Sequence, residues 1–149
     1  MAHLQVGNGD WVLIGDGKKA LLLVNEGDAS LLNLRRRSVR EQTSAPTHEQ
    51  GSDRPGRTFS SSSSGHSAYS QTDLHNLDET RFADEIAKDI NRSVHEFSRL
   101  VVVAPPHMLG ELRHAFSDET KAKIIAEIDK DLTKHTLPDI EKLLHTYEV

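Results

Sequence analysis

The sequence predicts an α/β fold in which an antiparallel β-meander is followed by parallel strands with flanking helices. Three observations predict it. Short apolar runs near the N-terminus are separated by turn-forming residues, as in antiparallel strands. A helical period then extends over about twenty residues in the middle of the chain. Strand-like and helix-like segments alternate from there onwards, which is typical of parallel strands joined by right-handed crossovers.

The N-terminal third contains three strand-like runs separated by two turns. The runs lie at residues 11–14, 20–24 and 31–37. Asp16-Gly17 lies in the first turn, and an Asp-Gly pair between apolar runs is a strong hairpin signal. The second turn is at residues 25–28, and the third strand becomes basic at residues 35–37. Three strands joined by tight turns predict a meander.

Residues 41–76 form a long polar segment within the single domain predicted for residues 1–149. Ser, Thr, Gly, Pro, His and Gln dominate it, and five consecutive serines occupy residues 60–64. Such a composition buries too little apolar surface to offset the entropy lost on ordering. We therefore expect a flexible loop, and a loop this long is either functional or disordered.

A long amphipathic helix is predicted over residues 78–97, with Asp78 as its N-cap. One face of this helix carries an apolar residue at every fourth position: Phe82, Ile86, Ile90 and Val94, flanked by Ala83 and Ala87. The unalternated apolar run at residues 100–104 predicts a strand that is buried on both faces.

The remaining residues predict three shorter helices and one more strand. Residues 107–116 read as a helix with Leu109 and Leu112 inward, and Ser117 caps a further short helix. Residues 124–129 fit either a continued helix or a strand, and their β-branched content favours the strand. A capping box at Thr136 opens the last helix, whose predicted inward residues are Ile140, Leu143 and Leu144. The complete order matches the ribonuclease H-like layout.

Composition and charge exclude some classes of functional site and make others less favourable. The chain contains no cysteine, which excludes disulfides, thiolate metal sites and cysteine nucleophiles. No signal peptide or apolar run long enough to cross a membrane is present, so a cytoplasmic location is expected. The net charge of −5 disfavours nonspecific binding to nucleic acids. Residues 35–76 are the exception, because they carry six arginines and four acidic residues.

The predicted binding surface lies in the polar segment. Its residues are Asp53, Arg54, Pro55, Gly56, Arg57 and Phe59. The Pro-Gly pair favours a defined turn, and the flanking arginines can bind a carboxylate or a phosphate in bidentate fashion. The alternative is that Asp53 pairs with one of these arginines and merely orders the loop.

Three acidic residues are secondary candidates, because clustered carboxylates hold the two metal ions of some nucleases. They are Asp16, Asp129 and Asp131, and alternation along a strand would place the last two on one face. None of the nine histidines forms a His-x-x-x-His pair, so no metal or other cofactor is expected. We expect no catalytic residues and interpret Gly15–Lys19 as a hairpin turn rather than a phosphate loop.

Five blocks of the chain resemble the host attachment protein family, a bacterial family named for attachment to plant host cells. Trp-Val-Leu-Ile-Gly-Asp-Gly at residues 11–17 resembles its opening strand and turn. The other blocks are Ser-Asp-Arg-Pro-Gly-Arg-Thr-Phe at 52–59, Arg-Phe-Ala at 81–83, and residues 100–110 and 128–133. The resemblance implies a noncatalytic interaction protein that acts in cell adhesion through an unidentified macromolecular partner.

That family is also similar to the middle domain of archaeal and eukaryotic peptide-release factors. In those factors a Gly-Gly-Gln loop precedes a long helix and acts in translation. Here the corresponding segment contains Glu49-Gln50-Gly51 and no Gly-Gly-Gln, so the resemblance does not extend to peptide release. It leaves an alternative function, a ribosome-associated or RNA-associated factor that binds through the basic segment 35–59. The oligomeric state is left open.

Overall fold

The computed structural model describes residues 3–42 and 64–148 of the chain, and the side chains of residues 64–76 lie outside this description. The strands are β1 (Trp11–Gly15), β2 (Lys19–Asn25), β3 (Leu34–Glu41), β4 (Leu100–Ala104) and β5 (Ile124–Asp129). The α-helices are α1 (Ser64–Arg92), α2 (Pro106–Ala115), α3 (Asp118–Lys123) and α4 (Leu137–Thr146). A 3-10 helix, Val94–Glu96, follows α1.

The strands form one mixed sheet in the order β3-β2-β1-β4-β5. β1 and β2 are antiparallel, as are β2 and β3, which confirms the predicted meander. β4 lies parallel to β1, and β5 lies parallel to β4. The ambiguous segment at 124–129 is therefore a strand. The predicted α/β architecture with a mixed sheet and flanking helices is confirmed.

Two apolar cores cover the two faces of the sheet. Helices α1 and α2 pack on one face, where the predicted stripe of α1 is buried, including Phe82, Ile86 and Ile90. Helix α4 covers the other face through Ile140 and Leu144. Burial of each such side chain stabilises the fold by roughly 1.5–3 kcal/mol. The two helical layers hold the ends of the strands at defined positions.

The long helix begins earlier than the sequence predicts. α1 starts at Ser64, so residues 64–76, predicted as part of the loop, are helical and Asp78 lies inside the helix instead of capping it. Helix nucleation is costly, whereas extension adds one hydrogen bond per residue. The packed half of α1 supplies the nucleus, and no proline lies between Pro55 and Pro105 to stop its extension.

Two leucines lie in positions that differ from the prediction. Leu143 was expected inward, but it is 37% exposed because Ile140 and Leu144 already occupy the face of α4 that meets the sheet. The third strand begins at Leu34 instead of Leu31, which is 76% exposed. The backbone N–H of Leu34 donates to Glu141 Oε2 at 2.7 Å, so α4 anchors the start of this strand.

The predicted caps at Ser117 and Thr136 are confirmed, in contrast to the one predicted at Asp78. The Ser117 hydroxyl accepts a hydrogen bond from the Thr120 N–H at the start of α3, and the Thr136 hydroxyl accepts one from the Asp139 N–H at the start of α4. In the described parts of the chain, no helix combines the length and the apolar character that a membrane span requires.

Candidate functional site

Four strands end at one edge of the sheet, and several polar residues that are distant in the sequence meet there. β1, β4 and β5 are parallel, and two antiparallel steps make β3 parallel to β1. From β1 the chain continues to β2 on one side, whereas β4 lies on the other side of β1, so the direction in which strands are added reverses at β1. In open α/β sheets, ligands bind beyond the carboxyl ends of the strands at the point where the strand order reverses. This carboxyl edge is therefore the candidate site.

Asp16 follows β1 directly and has two different roles at this edge. Its Oδ1 atom accepts hydrogen bonds from the N–H groups of Lys18 and Lys19, each at 2.7 Å, which closes the β1–β2 turn. Its Oδ2 atom accepts a hydrogen bond from the hydroxyl of Thr133 at 2.8 Å. The carboxylate thus connects the first turn of the chain with the segment after β5.

Thr133 joins two carboxylates. Its hydroxyl oxygen lies 2.8 Å from Asp131 Oδ1 as well as from Asp16, and the side chain is almost completely buried. The N–H of Thr133 also donates to Asp131 Oδ1 at 3.2 Å. Because a hydroxyl has one proton, it can donate to only one carboxylate at a time. Asp16 and Asp131 are thereby held at one place around a buried donor.

Asp129 does not join this cluster. β5 ends at Asp129, and a turn follows in which the Lys130 N–H donates to the Ile128 carbonyl at 3.1 Å. The prediction that Asp129 and Asp131 share a strand face is therefore wrong, because the alternation stops before Asp131. Among the secondary candidates, the structure brings Asp16 and Asp131 together and leaves Asp129 exposed at the strand end.

The first turn also meets the two helices on this face of the sheet. Glu79 of α1 packs so closely against Gly17 that a Cβ atom at position 17 would lie 2.6 Å from Glu79 Oε2. Glu79 Oε1 in turn lies 3.5 Å from His107 Nε2 at the start of α2. Glycine at position 17 therefore leaves room for the Glu79 side chain of α1.

Gln42 fixes the point at which the chain leaves the sheet after β3. Its N–H donates to the Lys18 carbonyl at 2.8 Å, and its side-chain amide donates to the Gly17 carbonyl at 2.8 Å. The same amide reaches the Asp78 carbonyl of α1 at 3.4 Å. The segment that carries the predicted binding residues thus begins at the carboxyl edge.

The predicted binding residues themselves lie outside the described residues. They are Asp53, Arg54, Pro55, Gly56, Arg57 and Phe59. Their place in the site therefore stays a prediction. Thr133, Glu79 and Gln42 were not predicted, because their importance comes from partners that are distant in sequence.

The carboxyl edge is rich in hydrogen-bond acceptors. It offers the carboxylates of Asp16, Asp131 and Glu79 together with the imidazole of His107. Within residues 3–42 and 77–148, no three histidine or acidic side chains are arranged to hold a metal ion. The described arrangement suits recognition of hydrogen-bond donors and cations on a partner.

Two of the four arginines of β3, Arg37 and Arg40, form close ion pairs with acidic residues. Arg37 pairs with Glu96 and also lies over the Trp11 ring, 4.7 Å from its centroid. Arg40 binds Asp89 with its Nε atom at 3.0 Å. Arg35 is 3.9 Å from Glu26, and Arg36 has no ion pair with the described residues. Exposed pairs of this kind contribute little stability, but they lower the positive potential of the strand.

One ion pair outside the carboxyl edge ties α2 to β5. The hydrogen bond from Arg113 to Glu127, together with the negative charge of that carboxylate, raises the pKa of the Arg113 guanidinium. Arg113 Nε lies 3.0 Å from Glu127 Oε1.

Comparison with protein families identifies the family of this chain. A family model described as "Protein required for attachment to host cells" matches residues 11–144. The matched range runs from β1 into α4 and includes every residue of the carboxyl edge described above. No curated protein matches the chain.

Proposed function

The chain belongs to the family of proteins required for attachment to host cells, and on this premise we propose that it acts in attachment as a noncatalytic interaction protein. The proposed contact surface combines the carboxyl edge of the sheet with the arginine-bearing residues 53–59. The partner is a macromolecule that presents acidic groups to Arg54 and Arg57 and hydrogen-bond donors to the carboxyl edge. A cytoplasmic location of the protein is part of the proposal.

The observation that carries this proposal is the convergence of polar side chains at one edge. The Asp16–Thr133–Asp131 contacts join the β1–β2 turn to the segment after β5. Gln42 joins the end of β3 to the same turn and to α1. Polar groups from distant segments that meet outside the carboxyl ends of strands are typical of binding surfaces in α/β proteins.

A matched pair of double variants tests the proposed surface. The loop variant carries Arg54→Gln and Arg57→Gln, which remove two positive charges from the predicted binding loop. The strand variant carries Arg35→Gln and Arg36→Gln, which remove the same charge from the edge strand β3. Bacteria that lack their own copy are complemented with each variant, and attached bacteria are counted on host cells. We expect attachment to fall several-fold with the loop variant and to remain near wild type with the strand variant.

Protein level by immunoblot and secondary structure by circular dichroism accompany the attachment counts. A loop variant that is expressed, folded and attaches as well as wild type would refute the proposed surface. Equal losses with both variants would show that total charge, and not the loop, determines attachment.

The proposed absence of catalysis is tested directly. Asp16 and Asp131 are the two carboxylates that the structure brings together, so a metal-dependent nuclease would need them. The protein is incubated with RNA or DNA and Mg²⁺ or Mn²⁺, beside an Asp16→Asn variant. Cleavage by the wild type that the variant loses would overturn the noncatalytic assignment, and we expect no cleavage with either.

The ribosome-associated alternative is less favoured because Arg37 and Arg40 of β3 already contact acidic side chains. Sedimentation through sucrose gradients at low salt tests it, since RNA association through arginines weakens as salt rises. Salt-sensitive cosedimentation with ribosomes would favour that alternative over attachment. The ribonuclease H-like layout and the similarity to release-factor middle domains stay predictions.

A further inference from the structure

Ser38 lies in an unusual position on β3. This strand is at the edge of the sheet, and every residue after Leu34 is exposed. Three arginines precede Ser38 and Val39 follows it, so the exposed strand displays the sequence Arg-Arg-Arg-Ser-Val. The backbone is already extended, which is the conformation in which peptides bind along the grooves of other proteins.

The residues around Ser38 differ in their ion pairs and in their exposure to solvent. Arg36 has no ion pair with the described residues. The Arg35 side chain is 63% exposed, and its Nε atom lies 3.9 Å from Glu26 Oε1. Val39 is one of the few exposed large apolar residues, at 40%. Arg37, in contrast, is held against Trp11 and Glu96. The two arginines at three and two positions before the serine are thus available to a second protein.

Arginines at these two positions, followed by a serine and an apolar residue, form the charge pattern that arginine-directed serine kinases select. In this chain the pattern is present on a folded surface and all of its members are exposed. The β-bulge in the β2–β3 pairing falls between the partners of Leu22 and Leu23, next to Ser38. Bulges redirect side chains at sheet edges, and such a change of direction would help a kinase to reach the Ser38 hydroxyl.

A groove beside Ser38 can receive an added anion. The groove lies between β3 and α1 and has a volume of about 490 Å³. Arg37 and Arg92 line it, together with Asp89, which pairs with Arg92. A phosphoserine carries about −1.5 to −2 charges and three strong acceptor oxygens at neutral pH. In the unmodified protein Arg37 pairs with Glu96 and Arg92 pairs with Asp89, and a phosphate on Ser38 would compete with these carboxylates for the two guanidinium groups.

We propose that Ser38 is a phosphorylation site for an arginine-directed serine kinase and that Arg37 and Arg92 bind the resulting phosphate. The kinase transfers the γ-phosphoryl group of a nucleoside triphosphate to Ser38 Oγ. The new P–O bond forms as the bond to the β-phosphate breaks, the nucleoside diphosphate leaves, and a base of the kinase takes the hydroxyl proton. This proposal does not depend on the proposed role in attachment.

The first experiment measures phosphate incorporation. Purified folded protein is incubated with ATP and the catalytic subunit of an arginine-directed serine kinase, and the product is analysed by intact mass and peptide mapping. We expect one phosphoryl group, located on Ser38, and complete loss with Ser38→Ala. Arg36→Gln lowers the rate of incorporation at least several-fold, whereas Ser93→Ala, at the other serine of the groove, leaves it unchanged.

Two results would overturn the assignment of the site. One is incorporation that survives Ser38→Ala and maps only to other serines or threonines. The other is incorporation in a peptide covering residues 33–42 without incorporation in the folded protein. The second result would mean that the edge strand hides the serine from the kinase.

The second experiment tests the phosphate contacts. The ionisation of the phosphoserine is followed by phosphorus NMR as a function of pH in the folded protein and in urea. Nearby guanidinium groups favour the dianion, so the titration midpoint is expected to be lower in the folded protein. Arg92→Gln is expected to move the midpoint towards the urea value. An unchanged or higher midpoint on folding would refute the role of these arginines.

Discussion

The hydroxyl of Thr133 lies 2.8 Å from a carboxylate oxygen of Asp16, although 117 positions separate the two residues in the chain. The contact joins the turn after the central strand β1 to the segment after the edge strand β5. Asp131 lies at the same distance from the same hydroxyl. This small network therefore links the start and the end of the fold at the proposed contact surface.

Loss of the Thr133 hydroxyl is expected to destabilise the protein. Thr133→Val keeps the size of the side chain but leaves Asp16 and Asp131 without their shared donor. Hydrogen bonds to charged groups contribute about 1.5–3 kcal/mol, and we expect a loss of that order in urea unfolding followed by circular dichroism. Thr146→Val is the control, because among the described residues that hydroxyl bonds only to carbonyls of its own exposed helix turn. The two variants should differ clearly; equal stability would contradict the network.

The packing of α4 predicts different effects for adjacent leucines. Leu144 is 1% exposed, whereas Leu143 is 37% exposed. Leu144→Ala should lower the free energy of unfolding by about 2–5 kcal/mol, through lost burial and a cavity. Leu143→Ala should cost much less. Thermal and urea unfolding of both variants measure the difference, and a larger loss with Leu143→Ala would show that α4 uses another face.

Lys123 is expected to stabilise the connection between α1 and β4. Its ammonium group donates to the Phe97 carbonyl at 2.9 Å and to the Val94 carbonyl, and it lies over the Phe97 ring. Lys123→Met keeps the aliphatic stem and removes the donors, so we expect a loss of about 1–3 kcal/mol in urea unfolding. Lys121→Met in the same helix is the control. Similar values for both lysines would argue against a specific role for Lys123.

The position at which α1 begins can be tested by comparing the stability lost on replacing Asp78 with that lost on replacing a known N-cap, Ser117. Ser117 accepts a hydrogen bond from the Thr120 N–H at the start of α3, so Ser117→Ala should cost about 0.5–2 kcal/mol. Asp78 lies inside α1 and makes an exposed pair with Arg81 at 3.5 Å, so Asp78→Ala should cost less than about 0.5 kcal/mol. Unfolding in urea compares them. A cap-sized loss at Asp78 would indicate that the helix begins there.

Several elements could be predicted because their signals are local. The four-residue period of Phe82, Ile86 and Ile90 predicted the face of α1 that is buried. The apolar run at residues 100–104 predicted a central strand, and Ser117 and Thr136 were recognised as caps from their own neighbours. Each signal needs only residues within one or two turns of the chain, so no tertiary information was required.

The missed features depend on packing. The first part of α1 has a composition typical of a loop. It is helical because it extends a helix whose later turns are packed, and the composition of a segment does not reveal such an extension. Leu143 fits the apolar period of α4 as well as Leu144 does, and only the angle at which α4 meets the sheet distinguishes them. The end of β5 at Asp129 separated two aspartates that simple alternation had placed together.

By itself, the sequence determined the types of most elements, their buried faces and the antiparallel start of the sheet, because these follow from periodicities and turn residues close together in the chain. The tertiary structure alone decided which polar groups meet. Asp16, Gln42, Glu79 and Thr133 come from four separate segments, and their contacts depend on strand order and register. Long-range contacts of this kind require the packed sheet, since no local pattern specifies the partner of a single polar side chain.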